Sequence, residues 1–126
     1  MSDHRISPPE ALALMNEGYV FLDIRTPEEF ADGHPAGAVN IPMHKGGEAA
    51  RIERSEFVGE VCDRFDDDAK IIIGCRAGNR SVRAYELLSV LGFADVKELR
   101  PGFDGTRGPF GEIIEPGWKR LGLPVE

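Results

Sequence analysis

Short apolar segments alternate with helix-start signals along this chain, and the alternation limits the fold more than any other feature. Segments 7–10 and 26–29 each begin with a capping residue, continue with proline and carry glutamate three positions after the cap. This is the pattern of a capping box at a helix N-terminus. Apolar runs at 20–22 and 71–73 predict buried strands. Strands that alternate with helices form parallel β-α-β units, so we expect an α/β fold with a central parallel sheet and helices on both faces.

A length of 126 residues suits one domain, so we predict a single domain over residues 1–126. Apolar spacing predicts a helix over 55–65, and Cys62 falls on its apolar stripe, so we expect this cysteine to pack in the core. Glycine and proline make 100–117 a candidate irregular segment, and 43–54 reads as mostly loop with some helix. Further strands are predicted at 38–42 and 95–99, and further helices at 82–91 and 118–122.

Composition excludes several classes of function. The net charge of −7 argues against nucleic-acid binding, which usually requires a basic excess. Two cysteines are too few for a disulfide framework, and no run approaches the ~20 apolar residues of a membrane span. The first residues hold no apolar stretch of signal-peptide length. The simplest expectation is a protein of the cytoplasm with no membrane partner.

A cysteine stands where the apolar run 71–73 ends and a glycine-containing turn begins. A turn between a strand and a helix exposes backbone N–H groups that no helical carbonyl accepts, and such groups form an anion-binding nest. A nest of this kind favours the thiolate form of a cysteine. We therefore predict that Cys75 is an exposed thiolate, held by the residues that follow it. These residues are Arg76, Ala77, Gly78, Asn79, Arg80 and Ser81.

Within this turn, the two arginines supply positive charge for an anionic substrate, and Asn79 is a candidate helix cap. The alternative is an inert, buried thiol that happens to end a strand, which is common for free cysteines. The arginines, the glycine and the strand–turn–helix position favour the functional interpretation.

Two long motifs carry a family resemblance. CRAGNRS, residues 75–81, resembles the active-site loop of the rhodanese family, sulfurtransferases that carry sulfur as a cysteine persulfide. FLDIRTPEEFADGHPAGAVNIP, residues 21–42, resembles the other hallmark of that family, and LRPGFDG with GWKRLGLPVE resembles its usual ending. The resemblance implies a three-layer sandwich around a parallel sheet, with Cys75 as the sulfur-accepting nucleophile and 76–81 as its cradle. It also implies no metal or organic cofactor, a small anionic donor such as thiosulfate, and cyanide, a thiol or a protein cysteine as acceptor.

Two rival functions share parts of this pattern. Cysteine phosphatases and arsenate reductases use a similar loop, but they carry an arginine six residues after the cysteine, where this chain has Ser81. Its arginine comes one residue early, at Arg80, and the smaller ring suits a sulfur atom better than a phosphate. A non-enzymatic sulfur-relay or protein-interaction module stays open, because one fold hosts unrelated functions.

Other candidate residues lie outside the cysteine turn. Asp23 and Arg25 follow a strand and either orient the loop arginines or form a structural ion pair, with the ion pair favoured. Segment 104–117 either brings Arg107 or Phe110 to substrate or is a surface insertion. His34 reads as a hydrogen-bonded turn residue. His4 and His44 have no neighbours at metal-ligand spacing, so no metal site is predicted, and Trp118 is expected in the core.

Overall fold

A computed structural model describes residues 4–43 and 54–126 of the chain. The helices are α1 (Pro8–Asn16), α2 (Pro27–Asp32), α3 (Arg54–Arg64), α4 (Arg80–Val90) and a 3₁₀ helix (Trp118–Leu121). The strands are β1 (Arg5–Ile6), β2 (Val20–Asp23), β3 (Val39–Asn40), β4 (Lys70–Gly74), β5 (Asp95–Leu99), β6 (Gly105–Arg107) and β7 (Ile113–Pro116).

Five of these strands form one sheet in the order β1-β5-β4-β2-β3, and every neighbouring pair is parallel. β4 lies at the centre, and Ile71, Ile72 and Ile73 are all buried, as expected for a strand covered on both faces. The predicted α/β class with a central parallel sheet is therefore confirmed.

Two apolar clusters cover the two faces of the sheet. One joins Ile71 and Ile73 of β4 to Phe57 and Val61 of α3 and to Leu88 of α4. The other lies around Ile72 and includes Phe21, Ala11 of α1 and Trp118 of the 3₁₀ helix. Successive strand residues point to opposite faces, so helices on both sides complete the three layers. The core position predicted for Trp118 is confirmed.

Both predicted capping boxes are present. The Ser7 side chain accepts from the backbone of Glu10, and the Glu10 carboxylate accepts from the Ser7 N–H at 2.9 Å. Thr26 and Glu29 make the same reciprocal pair at the start of α2. Each box satisfies N–H groups that a helix start leaves without intrahelical acceptors.

Two sequence-based expectations about the fold differ from the structure, and one strand was not expected. Residues 100–117 are not irregular throughout, because β6 and β7 pair as an antiparallel hairpin. Cys62 is exposed and not in the core, because the buried side of α3 is centred on Phe57 and Val61 and leaves Cys62 outside it. The two-residue strand β1 was not predicted. His44 and most of the loop predicted at 43–54 lie outside the described residues.

Candidate functional site at the end of the central strand

The ends of β2 and β4 bring the two sequence motifs together at one edge of the sheet. Asp23 pairs in register with Gly74, and the Ile24 N–H donates to the Gly74 carbonyl at 3.0 Å. Cys75 therefore lies beside the turn that follows β2. This is the carboxyl edge of a parallel sheet, where sites form in α/β proteins.

The thiol of this site is buried. Cys75 is 1 % exposed and belongs to the apolar cluster beneath α3 and α4, so the prediction of an exposed thiol is wrong. The cause is strand alternation, because Cys75 follows Ile71 and Ile73 on the face of the sheet that α3 and α4 cover. A reagent must therefore reach the sulfur through the loop.

The loop carbonyls are held from outside by other parts of the chain. The Cys75 carbonyl accepts from the Phe103 N–H at 2.8 Å, and the Arg76 carbonyl accepts from the Asp104 N–H at 2.9 Å. The Gly78 carbonyl accepts from the Arg5 guanidinium at 3.0 Å. Three peptide units of the loop are thus fixed in orientation.

This anchoring sets the direction of the loop N–H groups. A trans peptide directs its C=O and N–H to opposite sides, so the N–H groups of Arg76, Ala77 and Asn79 point away from the anchoring segments. Within residues 4–43 and 54–126, no acceptor is found for the N–H groups of 76–79. Several unpaired donors on consecutive residues are the arrangement that an anion-binding nest requires.

Two glycines permit the close packing of the loop against its anchors. Gly78 has a φ of +90°, and a Cβ there would overlap the Arg100 carbonyl oxygen. Gly102 has a φ of +73°, and a Cβ there would strike the backbone of Arg76. Side chains at either position would force the loop away from the segment that holds it.

The two loop arginines differ in their surroundings. Arg80 donates from both terminal nitrogens to the two carboxylate oxygens of Glu29, at 3.1 and 3.2 Å. Burial tends to raise the pKa of Glu29, but hydrogen bonds from Arg80 and from the Thr26 N–H outweigh it and lower the pKa to about 2. Arg76 is exposed, and its guanidinium has no ion pair among the described residues. Arg76 is therefore the loop cation available to an incoming anion.

Asp23 and Arg25 form a buried ion pair. The Arg25 guanidinium donates to Asp23 from Nε and from Nη2, the latter at 2.7 Å, and Nη2 also donates to the Gly33 carbonyl. The guanidinium lies 4.4 Å from the centre of the Phe103 ring. Among the described residues, no hydrogen bond or ion pair joins Asp23 or Arg25 to Arg76 or Arg80, which supports the structural ion-pair interpretation.

A cleft of about 370 Å³ opens beside the loop. It is lined by Arg25, Glu29, Asp32, Gly33, Arg76, Phe103, Asp104, Lys119 and Val125. Asp104 is buried at one wall and pairs with Arg107, Lys119 and Arg120. Burial tends to raise the pKa of Asp104, but these cations lower it overall, so the carboxylate is charged.

The other predicted loop residues take supporting positions. Ser81 is fully buried, and its hydroxyl donates to Glu98 at 2.9 Å, so its side chain does not face the cleft. Asn79 stands at the N-cap of α4 but makes no side-chain capping hydrogen bond, contrary to expectation. Ala77 and Gly78 border a second groove, behind the loop, together with Thr106 of the hairpin.

Asp104 is the residue of the 104–117 segment that lines the cleft, whereas Arg107 and Phe110, the two predicted for substrate selection, do not line it. Phe110 is 93 % exposed at the hairpin tip. Arg107 donates to Asp104 at 3.0 Å and to the Gly111 carbonyl at 2.7 Å. His34 is a hydrogen-bonded turn residue, as predicted, because its Nδ1 lies 2.8 Å from the Phe30 carbonyl.

Sequence reasoning missed three contributors to the site: Arg5, Glu98 and the backbone of 103–105. The glycines of the LRPGFDG motif are the signal that could have revealed the last of these. Within the described ranges, no cluster of metal-ligating side chains occurs, and no helix has the length and hydropathy that crossing a membrane requires.

Comparisons with known proteins identify the family of this chain. The model of the rhodanese-like domain family matches residues 7–108. Thiosulfate sulfurtransferase 16, chloroplastic, of Arabidopsis thaliana is 33 % identical over 96 % of this chain and 91 % of its own. Thiosulfate sulfurtransferase GlpE of Pseudomonas entomophila is 35 % identical over 84 % of this chain and 86 % of its own.

Solved structures share the fold. The crystal structure of Rv0390 from M. tuberculosis superposes with a TM-score of 0.79 at 25 % identity, covering 97 % of this chain and 96 % of that one. The match to the family model extends over both hallmark motifs and over the anchoring segment 103–105. The chain belongs to the rhodanese-like domain family, whose members among its relatives include proteins named thiosulfate sulfurtransferases.

Proposed function

We propose that this protein is a sulfurtransferase that carries sulfur as a persulfide on Cys75. The observation that supports this most directly is the series of unpaired N–H groups on 76–79, turned away from carbonyls that Phe103, Asp104 and Arg5 hold. Such donors stabilise negative charge on a sulfur atom without a separate general base. The names of the relatives agree with this reaction class.

The reaction has two steps. The Cys75 thiolate attacks the outer sulfur of a donor such as thiosulfate, forming a new S–S bond while the donor's own S–S bond breaks and sulfite leaves with the electron pair. An acceptor, either cyanide or a thiolate, then attacks the terminal sulfur and releases the Cys75 thiolate. This is covalent catalysis, and it predicts ping-pong kinetics.

The charge of the loop arginines and the burial of the sulfur have different roles in this reaction. Arg76, exposed at the cleft, attracts the anionic donor against the net charge of −7. Arg80 is committed to Glu29 and shapes the loop. Because the sulfur is buried, the loop admits the narrow end of a donor and excludes bulky groups from the thiolate.

Intact-mass measurement tests the proposal. After exposure to thiosulfate and removal of excess reagent, the wild-type chain and Cys62→Ser should each gain the mass of one sulfur atom, whereas Cys75→Ser should gain none. Cys62→Ser is the matched control because it removes the exposed thiol. Sulfur uptake that depends on Cys62 and survives in Cys75→Ser would refute the assignment.

The phosphatase alternative has less support in this structure. The position that would carry the phosphate-binding arginine is Ser81, which is buried and hydrogen-bonded to Glu98. The neighbouring Arg80 is paired with Glu29. Hydrolysis of a phosphotyrosine analogue that disappears in Cys75→Ser would reverse this judgement.

A further inference from the structure

The first strand brings charged side chains to the side of the loop away from the cleft. β1 pairs with β5 so that Arg5 stands opposite Glu98. The Arg5 Nη2 donates to the Gly78 carbonyl at 3.0 Å and to the Arg100 carbonyl at 3.2 Å. One guanidinium thus ties the loop to the segment that follows β5.

Glu98 is the second member of this arrangement. It is 1 % exposed, and a buried carboxylate is costly unless it is paired and hydrogen-bonded. Its Oε1 accepts from the Ser81 hydroxyl at 2.9 Å and lies 3.8 Å from the Arg5 Nε, while its Oε2 lies 2.6 Å from the His4 Nε2. The carboxylate therefore joins β1 to the first turn of α4.

These contacts act on the peptide units that form the nest. Holding the Gly78 carbonyl outward directs the Asn79 N–H to the opposite side. Holding Ser81 fixes the start of α4 and the N–H groups that its first turn leaves unpaired. Neither Arg5 nor Glu98 lines the cleft, so both must act through the loop.

We propose that Arg5 and Glu98 are positioning residues for sulfur transfer, which orient the backbone N–H groups around Cys75 from behind the loop. This inference rests on the proposed function. Displacing reacting or charge-stabilising groups by about 1 Å can cost on the order of 100-fold in rate. We therefore expect Arg5→Ala to lower kcat by between about tenfold and 100-fold, with the KM for thiosulfate changed less than about threefold.

The experiment measures thiosulfate:cyanide transfer by Arg5→Ala, Arg5→Lys and Arg83→Ala. Arg83 is an exposed arginine of α4 away from the loop contacts, so its removal makes the same change in charge. Arg5→Lys retains one donor for the Gly78 carbonyl. Its log kcat should therefore lie at least halfway from that of Arg5→Ala to that of the wild type. Arg83→Ala should keep wild-type kcat.

Several outcomes would overturn the proposal. These are a kcat in Arg5→Ala equal to that of Arg83→Ala, a loss confined to KM, or no recovery in Arg5→Lys. If Arg5→Ala does not fold, Ser81→Ala replaces it, because this variant removes the hydroxyl that binds Glu98 and leaves Arg5 in place. Ser81→Ala with wild-type kcat would then refute the role of Glu98.

A second readout separates this inference from the proposed function. In a Cys62→Ser background, the rate of Cys75 alkylation by iodoacetamide reports the state of the loop without any sulfur donor. If the wild-type chain takes up no sulfur from thiosulfate, the proposed function fails. A change in alkylation rate in Arg5→Ala but not in Arg83→Ala would still support control of the loop by Arg5, and equal rates would refute it.

Discussion

The ion pair between Glu29 and Arg80 should make the stability of this protein depend on pH in acid. Glu29→Gln removes the charge that holds Arg80 while retaining an oxygen to accept from the Thr26 N–H. The pKa of Glu29 falls from 4.5 to about 2 on folding, which corresponds to roughly 3 kcal/mol at neutral pH. The side chain is 27 % exposed, so solvent screening makes this an upper limit, and we expect a loss of about 1–3 kcal/mol.

The sign of the pH effect follows from the direction of the shift. Because the pKa of Glu29 is lower in the folded chain, its stabilisation is complete above pH 4.5 and is lost as the pH falls toward 2. At pH 3, at most about 1 kcal/mol of this stabilisation remains. The difference in unfolding free energy between wild type and Glu29→Gln should therefore shrink by more than half between pH 7 and pH 3.

Urea unfolding at both pH values measures this difference, with Glu28→Gln as the matched control. Glu28 is an exposed glutamate of the same first turn, without a hydrogen-bonded partner among the described residues, so it reports the general effect of charge at the helix start. A difference that is the same at pH 7 and pH 3, or an equal loss in Glu28→Gln, would refute the role given to the ion pair.

Three further predictions concern the cysteine loop. A bulky thiol reagent should label Cys62 rapidly in the folded chain and reach Cys75 only on unfolding, because only Cys62 is exposed. Rapid labelling of both cysteines in the folded chain would contradict this. Gly78→Ala should lower the unfolding free energy by at least about 2 kcal/mol in urea titration, because of its positive φ and the overlap with Arg100; a neutral result would refute the close approach. Arg76→Ala should raise the KM for thiosulfate about tenfold with a smaller change in kcat, and an unchanged KM would place donor binding elsewhere.

Local sequence patterns predicted the elements that build the sheet. Pro8 and Pro27, each followed by a glutamate, predicted two helix starts, and the apolar run at 71–73 predicted the central strand. These signals depend only on residues that are neighbours in the sequence, so they can be recognised without knowledge of the fold. The cysteine turn was predictable for the same reason.

Features that depend on distant partners were not predictable. Arg5 and Ile6 carry no strand pattern, and they become a strand only because β5 offers a free edge. Glu98 looks like an ordinary polar strand residue until β1 and α4 enclose it. Cys62 satisfies the helical spacing of the apolar stripe, yet it lies just beyond the side of α3 that the core covers.

The ion pair between Arg80 and Glu29 is a further feature that depends on residues far apart in the sequence. From the sequence, two arginines near a cysteine appear equivalent, because nothing local distinguishes their partners. The pairing depends on α2 being placed beside the start of α4, which follows from the sheet order. The electrostatics of the site therefore had to come from the structure.

The loop around Cys75 is fastened by residues from widely separated parts of the chain, with Arg5 on one side and Phe103 and Asp104 on the other. Cys75 precedes Phe103 and Asp104 in the sequence, so it is synthesised before the second of these anchoring segments. During synthesis, the thiol is thus present before the scaffold that would activate it. Acquisition of reactivity would then report that both distant segments have docked, which ties chemical competence to completed assembly.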